Sequence, residues 1–169
     1  MKWREEIGRG EAVRPVAHVR PLRAADIALL PAMHALCVRQ GLASHYTPQH
    51  IAAWIQAHDD QHFDDAIEAG EKYLIAEMQG ALAGYASWRA GELVSTFVAP
   101  AAQEMGVGTL LVDNCTFDAA AAGMPIRRVR ATLNAIGFYR TLGFQTTEPG
   151  FHEEGGVRLP YQMMVRPAG

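Results

Sequence analysis

The segment Gln103-Glu104-Met105-Gly106-Val107-Gly108-Thr109 follows an apolar run that ends in Phe97-Val98-Ala99-Pro100. A strand is expected to stop at the proline, and the two glycines then lead into a helix whose apolar residues recur on one face. The start of such a helix presents unpaired backbone N–H groups and the positive end of the helix dipole, and the glycines let an anion come close to the backbone. The segment therefore predicts a loop that binds a pyrophosphate.

Two familiar phosphate-binding loops do not fit this segment. A Walker loop needs Lys and then Ser or Thr after its last glycine, whereas Gly108 is followed by Thr109 and Leu110. A dinucleotide-binding loop needs a third small residue at the position where this chain has Leu111. The plain alternative that remains is a glycine-containing turn at the start of a surface helix.

A second informative segment is Asn134-Ala135-Ile136-Gly137-Phe138-Tyr139-Arg140-Thr141-Leu142-Gly143-Phe144. The apolar and β-branched run before it, residues 126–132, predicts a strand, and Asn134 is a suitable N-cap for the helix that follows. Gly143 is a suitable residue to end that helix before Phe144 begins another extended segment. The pattern predicts a strand, a helix and a second strand in this order.

Together the two segments resemble motifs A and B of the GNAT acyltransferase superfamily. Motif A is a strand that ends near a proline and is followed by Gln/Arg-x-x-Gly-x-Gly/Ala, and motif B is Asn-x-x-x-Phe-Tyr-x-x-x-Gly-Phe. Both occur here in the family's order and at its usual separation, and the resemblance covers about Val16 to Arg166. It implies the GNAT fold of class α/β (α+β), with a central mixed, mostly antiparallel sheet of six to seven strands flanked by about four to five helices.

The resemblance also implies that the loop binds the pyrophosphate of acetyl-CoA, the acyl donor of the family. The residues to which it assigns contacts with acetyl-CoA are Phe97, Val98, Gln103, Glu104, Met105, Gly106, Val107, Gly108, Thr109, Asn134 and Tyr139. The backbone of Phe97 and Val98 would contact the pantetheine amide and the thioester carbonyl. Family members often carry Arg or Lys where this chain has Met105, so this loop depends on backbone N–H groups and the helix dipole.

Tyr139 and Glu92 are the catalytic residues that the resemblance implies. The family's tyrosine at the Tyr139 position lies near the thioester sulfur and acts as the general acid; the alternative is a half-buried tyrosine with its hydroxyl in water. Glu92 stands eleven residues before Gln103, as does a glutamate that deprotonates the amine in several members; the alternative is an exposed charge at a strand end. Asn134 would contact the pantetheine arm or a water in addition to capping its helix.

Composition limits the classes of function. A chain of 169 residues with 49% hydrophobic residues can form one sizeable core, and a net charge of −3 with a pI near 6.1 lacks the signature of nucleic-acid binding. No apolar run is long enough to span a membrane and no signal peptide is evident, so a cytoplasmic location is expected. Cys37 and Cys115 are expected to be buried thiols without a disulfide.

A single domain over residues 16–169 is expected, preceded by a loose arm over residues 1–15. Pro31 is expected in the first turn of its helix or at a kink, and Gln79-Gly80 at the turn of a hairpin. The predicted helices include 26–40, one starting at Thr47-Pro48, and 63–69; the predicted strands include 16–20, 72–77, 82–88, 93–98 and 157–165.

The histidines raise two further questions. His58 and His62 have the spacing of a helical metal pair, but no third ligand accompanies them at a recognisable spacing, so no metal site is predicted and the segment is expected to be a solvated linker. GNAT proteins commonly shape their acceptor pocket with the loop between the first two helices and the loop joining the last two strands. These loops hold the substrate-binding candidates His45, Tyr46 and His152, with Glu153 and Glu154 beside His152; plain surface positions are the alternative.

The sequence thus predicts an acetyltransferase that transfers the acetyl group of acetyl-CoA to a primary amine by direct attack. Cys115 is an unsuitable nucleophile because it falls on the buried face of its helix. Glu92, Glu153 and Glu154 hint at a cationic acceptor, whose identity stays open, and relatives are commonly homodimers. The alternatives are a non-catalytic acyl-CoA-binding sensor or regulatory module, and an interaction protein without a ligand.

Overall fold

The computed structural model describes residues 14–167, in which seven strands form one sheet with helices on both faces. The strands are β1 (Ala17–Pro21), β2 (Lys72–Met78), β3 (Ala81–Arg89), β4 (Glu92–Val98), β5 (Arg128–Ala131), β6 (Gln145–Glu154) and β7 (Val157–Val165). The helices are α1 (Ala24–Ile27), α2 (Leu30–Gly41), α3 (Pro48–Ala57), α4 (Asp60–Glu68), α5 (Val107–Ala121) and α6 (Ile136–Thr141). Two 3₁₀ turns, Pro100–Ala102 and Leu133–Ala135, precede α5 and α6.

The strands lie in the order β1-β2-β3-β4-β5-β7-β6, and β4 and β5 form the one parallel pair among them. This mixed, mostly antiparallel sheet confirms the predicted fold. Thr47 caps α3 with its side chain, and Pro48 occupies the first helical position, both as predicted.

The two faces of the sheet bury different side chains because residues alternate along each strand. The face covered by α5 includes Leu74, Ala86, Leu93, Leu111, Val112 and Cys115. The face covered by α2 and α4 includes Leu30, Phe63, Tyr73, Ile75 and Tyr85. The second face is rich in aromatic and hydroxyl-bearing side chains, which makes it the more suitable wall for a polar ligand.

Strand β4 departs from regular pairing on both sides. A register shift in its pairing with β3 makes Val94 an extra residue, a β-bulge. Its parallel pairing with β5 is limited to two residue pairs, Glu92 with Arg128 and Leu93 with Val129. The two strands therefore diverge after Leu93, and the rest of β4 has an edge that β5 does not pair.

Glycine at position 84 allows β3 and β4 to approach closely at the far end of this gap. A Cβ atom at Gly84 would lie 2.5 Å from the carbonyl oxygen of Phe97 and 3.1 Å from the Cα atom of Val98. The N–H of Ala99 donates to the carbonyl of Ala83 at 2.8 Å. Because bonding directions alternate along an antiparallel ladder, the N–H of Phe97 faces β3 and the N–H of Val98 faces the gap between β4 and β5.

The single helix predicted over residues 26–40 is wrong, because two helices occupy this segment. Helix α1 ends at Ile27 and α2 begins at Leu30. Pro31 lacks the N–H that would donate to the carbonyl of Ile27, and its ring would clash with that carbonyl. The prediction that Pro31 lies in a first turn is confirmed, since it occupies the first turn of α2.

Asn134 does not cap the helix after it, which corrects the sequence prediction. It lies within the 3₁₀ turn Leu133–Ala135, and the N-cap residue of α6 is Ala135. The N–H of Leu133 donates to the hydroxyl oxygen of Tyr46 at 3.0 Å. This tertiary contact, between residues far apart in the sequence, holds the chain in the 3₁₀ turn before α6 begins.

Cys37 and Cys115 are buried free thiols, as predicted. Burial raises the pKa of Cys37 to about 11 and that of Cys115 to about 12, so both carry their protons near neutral pH. Between residues 14 and 167, no helix combines the length and the apolar character needed to cross a membrane. The predicted arm falls mainly on residues 1–13, outside the described residues, and the predicted division into arm and domain stays a prediction.

Candidate active site

A cavity of about 260 Å³ lies where β4 and β5 diverge. Its wall includes Tyr139 and Glu92, the two predicted catalytic residues, and His152, one of the three predicted substrate-binding residues. Strand β4 contributes Val94, Ser95, Thr96 and Phe97, and the segment from α3 to β2 contributes Trp54, His58, His62, Phe63, Glu71 and Tyr73. The fold therefore gathers residues from distant parts of the sequence around the gap in the sheet.

The loop over residues 103–109 has the geometry of an anion-binding helix start. Glu104 and Gly106 have φ angles of 61° and 79°, and these left-handed residues turn the chain into α5. The first hydrogen bond of α5 runs from the N–H of Leu110 to the carbonyl of Gly106 at 3.0 Å. The N–H groups that precede this bond, and so have no acceptor within the helix, belong to Val107, Gly108 and Thr109.

The loop also contacts the second sequence motif. A Cβ atom at Gly108 would lie 3.2 Å from the ring of Phe138, so glycine lets the start of α5 pack against α6. The side chain of Gln103 points back toward β4 and donates to the carbonyl of Val98 at 3.3 Å. Met105 is 44% exposed beside the free N–H groups.

Tyr139 is buried, with 5% of its surface exposed, rather than half-buried with its hydroxyl in water. Its ring packs edge-on against Phe144 at 5.8 Å between centroids, which fixes its direction in the cavity wall. Burial raises the pKa of Tyr139 to about 12, while the nearby hydroxyl of Thr96 acts in the opposite direction. The phenol therefore keeps its proton across the whole neutral range and can act as a hydrogen-bond donor.

Glu92 lies in the cavity wall, but both of its carboxylate oxygens are in ion pairs. Oε2 accepts from Nε of Arg128 at 3.0 Å, and Oε1 lies 3.2 Å from Nε of Arg130. The Glu92 side chain is 12% exposed. Because both carboxylate oxygens are occupied by guanidinium groups, Glu92 is better placed to orient Arg130 than to contact an incoming amine.

His58, which the sequence pattern marks only as half of a metal pair, lines the cavity. Its Nδ1 lies 2.9 Å from the carbonyl oxygen of Trp54. A carbonyl can only accept, so Nδ1 carries the proton and Nε2 is left as an acceptor. Burial lowers the pKa of His58 to about 4, and the proximity of His62 acts in the same direction, so the ring is neutral at pH 7.

The rings of His34, His58 and His62 form a cluster at this side of the cavity, where a solvated linker was expected. The ring of His58 stacks on that of His34 at 3.9 Å and lies 4.1 Å from that of His62. His34 is 0% exposed, and neither of its ring nitrogens has a hydrogen-bond partner among residues 14–167. In this part of the chain, no group of three or more His, Cys, Asp or Glu side chains is arranged to hold a metal ion.

The three predicted substrate-binding residues have different surroundings. His152 lines the cavity and stacks on Tyr161 at 5.8 Å between centroids. It does not lie in a loop, because β6 continues through Glu154 and only a two-glycine turn separates β6 from β7. Tyr46 and His45 do not line the cavity.

Tyr46 instead ties the fold together. It is buried, and its hydroxyl donates to the carbonyl of Pro160 at 2.7 Å while accepting from the N–H of Leu133. This pair of bonds uses the hydroxyl as both donor and acceptor. Tyr46 lies in the predicted pocket loop, but its hydroxyl is bonded to the backbone of the protein and does not face the cavity.

Three features of this site are typical of an acyl-CoA-dependent transferase of the α/β class: the divergence of β4 from β5, the glycine-containing start of α5, and the cavity between them. The chain matches the family model described as "Acetyltransferase (GNAT) domain" over residues 42–165. The protein belongs to the GNAT acetyltransferase family. Membership confirms the predicted resemblance, the enzyme class, and acetyl-CoA as the acyl donor; the cytoplasmic location and the homodimer stay predictions.

Solved structures show the same fold. A GCN5-related N-acetyltransferase from Rhodopseudomonas palustris is 28% identical with a TM-score of 0.83, covering 90% of this chain and 96% of that one. The PaiA N-acetyltransferase from Thermoplasma acidophilum, solved with coenzyme A, is 17% identical with a TM-score of 0.70, covering 90% and 99%. YncA from Salmonella typhimurium, a putative acetyltransferase solved with acetyl-CoA, is 21% identical with a TM-score of 0.59, covering 89% and 92%. No curated protein has a significantly matching sequence.

Proposed function

We propose that the protein transfers the acetyl group of acetyl-CoA to a primary amine by direct attack of the amine on the thioester. The observation that carries this proposal is the cavity at the gap between β4 and β5, which is lined by a buried tyrosine, a neutral histidine and the free edge of β4. Cys115 supports direct attack, because it is 0% exposed and holds its proton, so it is not available for an acyl-enzyme intermediate.

Acetyl-CoA would be held by backbone groups on either side of Pro100. Its pyrophosphate would accept from the free N–H groups of residues 107–109, and its pantetheine arm would lie along the edge of β4 that β5 leaves unpaired. The N–H of Val98 faces this gap and would polarise the thioester carbonyl. The backbone of Phe97 is directed to β3, so only its side chain is proposed to contact the substrates, and Asn134 is proposed to contact the pantetheine arm.

The reaction needs two proton movements. The amine nitrogen forms a bond to the carbonyl carbon, and its N–H becomes strongly acidic and passes to a base. The C–S bond then breaks, and the electron pair leaves with sulfur as the thiolate of coenzyme A. We assign Tyr139 to this sulfur, where its hydroxyl donates a hydrogen bond as the charge develops and supplies the proton that completes the thiol.

The donor site can be tested through Met105. At about a hundred times its dissociation constant, acetyl-CoA should stabilise the protein by about 2.7 kcal/mol, whereas NAD and ATP should not. Met105→Arg should tighten acetyl-CoA binding several-fold at low salt, because the guanidinium would pair with the pyrophosphate beside the free N–H groups, and this gain should fade as salt is added. Calorimetry measures the affinities.

Met124→Arg is the matched control for that experiment. Met124 is 45% exposed, as Met105 is 44% exposed, but it follows the other end of α5. It should leave acetyl-CoA affinity unchanged. Equal effects of the two arginines, or the absence of any stabilisation by acetyl-CoA, would contradict the proposed donor site.

For the general base, Glu92 stays a prediction, and the structure supplies a second candidate in His58. The hydrogen bond from Nδ1 to the carbonyl of Trp54 fixes the orientation of the His58 ring and leaves the lone pair on Nε2. The ring is neutral at pH 7, so Nε2 can accept a proton directly. A base with a pKa of about 4 is weak, but it remains available at any pH above that value. We favour His58 because the oxygens of Glu92 are already paired with arginines.

Two substitutions separate these candidates. His58→Asn keeps an N–H to donate to Trp54 but removes the acceptor at Nε2, and it should lower kcat/KM for an amine by about a hundredfold. Glu92→Gln should have a smaller effect, by loosening Arg130. Steady-state rates of coenzyme A release measure both, and a larger loss in Glu92→Gln than in His58→Asn would assign the base to Glu92.

A further inference from the structure

Glu71 is a buried carboxylic acid without an ion pair among the described residues. Two carboxylic acids are buried within residues 14–167, Asp26 and Glu71. Asp26 forms an ion pair with Arg20 at 2.7 Å, whereas Glu71, 8% exposed, has no ion pair in that part of the chain. Its Oε1 accepts a hydrogen bond from the hydroxyl of Ser87 at 2.5 Å. Glu71 also interacts with the phenol of Tyr73. A buried carboxylate whose partners are neutral hydroxyls is costly, so its place in a cavity wall indicates a cationic ligand.

The surroundings of Glu71 are suited to a cation. Glu71 lines the cavity together with the aromatic rings of Phe63, Tyr73 and Tyr85, which lie 6.0 to 6.1 Å from one another. The faces of such rings attract ammonium and guanidinium groups. A carboxylate with aromatic walls is therefore a complete set of contacts for one small cation.

Tyr85 gives an independent indication of a missing ligand. It is 1% exposed, it lines the same cavity, and its hydroxyl has no hydrogen-bond partner among the described residues. A buried hydroxyl without a partner costs free energy, so a ligand that donates an N–H to its oxygen would reduce that cost by supplying one partner.

The remaining charges of the cavity favour the same ligand. The wall contains Glu71, Glu92, Glu154 and Arg130. Arg130 is already paired with Glu92. Glu71 and Glu154 therefore have no positively charged partner in this wall. A neutral or anionic substituent on the acceptor would leave these carboxylates unpaired.

We propose that Glu71, Tyr73 and Tyr85 form a subsite, here named the Glu71 subsite, for a second cationic group on the acceptor. The acceptor is then a small diamine, or another primary amine that carries a second positive charge. This inference rests on the proposed function, because it assigns the other end of the same acceptor. The hydroxyl of Ser95, 2.5 Å from that of Ser87, connects the subsite to β4 and hence to the proposed reaction centre.

The test compares three acceptors with the same carbon chain: diaminobutane, butylamine and aminobutyrate, whose distal groups are cationic, neutral and anionic. Wild-type kcat/KM should be at least about tenfold higher for diaminobutane than for butylamine, as expected for a charge-assisted hydrogen bond, and lowest for aminobutyrate. In Glu71→Gln, which retains an acceptor for Ser87, the ratio of diaminobutane to butylamine should fall to near one. Glu153→Gln is the control, because Glu153 lies on β6 outside the cavity and should keep the ratio.

A second variant guards against a folding defect. Tyr85→Phe removes the unpartnered hydroxyl, so it should raise the melting midpoint of the free protein by a few degrees while reducing the preference for diaminobutane several-fold. Equal wild-type rates for diaminobutane and butylamine, or a ratio that survives Glu71→Gln, would overturn the subsite while leaving the acetyltransferase proposal in place.

Failure of the proposed function gives a different result. If acetyl-CoA binds but no amine is acetylated, the proposed function fails, and the subsite is then judged by binding alone. Diaminobutane should still raise the melting midpoint of the wild type and not that of Glu71→Gln. Equal shifts in the two proteins would overturn the subsite as well.

Discussion

Tyr139→Phe is expected to lower kcat by about a hundredfold to a thousandfold, with little change in the affinity for acetyl-CoA. The substitution removes only the hydroxyl that donates to the leaving sulfur, and loss of one such donor in a buried site has an effect of this size. The ring keeps its contact with Phe144, so the free energy of unfolding should change little. Single-turnover release of coenzyme A measures the chemical step directly.

The pKa of Tyr139 adds a pH signature to this prediction. A phenol with a pKa of about 12 lies about 3.5 units above an ordinary thiol, so the hydrogen bond in the transition state matters more than full proton transfer beforehand. The wild-type rate should therefore show no loss from tyrosine ionisation up to about pH 11. A fall near pH 10, the ordinary value for tyrosine, would contradict the burial argument.

Tyr46→Phe is the matched control, since it makes the same change at a buried tyrosine outside the cavity. It removes the bonds to Pro160 and Leu133, so it should lower the free energy of unfolding by about 1–3 kcal/mol and leave turnover of the folded protein nearly intact. Equal loss of turnover in the two variants would show that Tyr139 acts through packing. A wild type that binds acetyl-CoA but acetylates no amine would support the sensor alternative.

Acidification from pH 7 to pH 5 is expected to destabilise the protein by up to about 4 kcal/mol through His34, which is buried, and His58, which is partly buried. Burial lowers the pKa of His34 to about 2 and that of His58 to about 4, from about 6.5 in the unfolded chain. Below pH 6.5 these two histidines bind protons in the unfolded state but not in the folded state, so the free energy of unfolding falls as the pH falls. At pH 5 each histidine accounts for up to about 2 kcal/mol.

His34→Leu tests this prediction in a position that does not line the cavity. It should remove about half of the acid-induced loss, because the unfolded variant no longer gains that proton, and it should not destabilise the protein at pH 7, because two unpartnered ring nitrogens are removed. Urea unfolding at pH 7 and pH 5 gives the free energies. The exposed His45, changed to Gln, is the control and should keep the full loss; a similar recovery in both variants would contradict the role of burial.

The sequence predicted those features that depend on local pattern. The pair of motifs predicted the start of α5 and the order of the elements around it, while the role of Tyr139 near the thioester sulfur stays a prediction. Thr47-Pro48 predicted the start of α3 for the same reason, since a capping side chain and a proline act on the adjacent backbone.

Features that depend on tertiary contacts were missed or wrong. The 3₁₀ turn at Asn134 depends on a hydroxyl from the α2–α3 loop, and the tautomer of His58 depends on the carbonyl of Trp54. Glu71 has no local signal, because a glutamate after Gly70 at the start of a strand resembles any exposed charge. Its burial becomes visible only when Ser87 of β3 is placed beside it.

The short pairing of β4 with β5 also divides the sheet into two parts, which are joined by only two residue pairs. One part contains β1 to β4 and the other contains β5, β7 and β6. The ion pairs of Glu92 with Arg128 and Arg130 hold the two strands together at the end where they are paired. A pantetheine arm along the open end would bond to β4 in the manner of an inserted strand. Binding of acetyl-CoA would then also strengthen the connection between the two parts of the sheet. Without acetyl-CoA, the sheet would deform most easily at the gap between β4 and β5, where the reaction is proposed to occur.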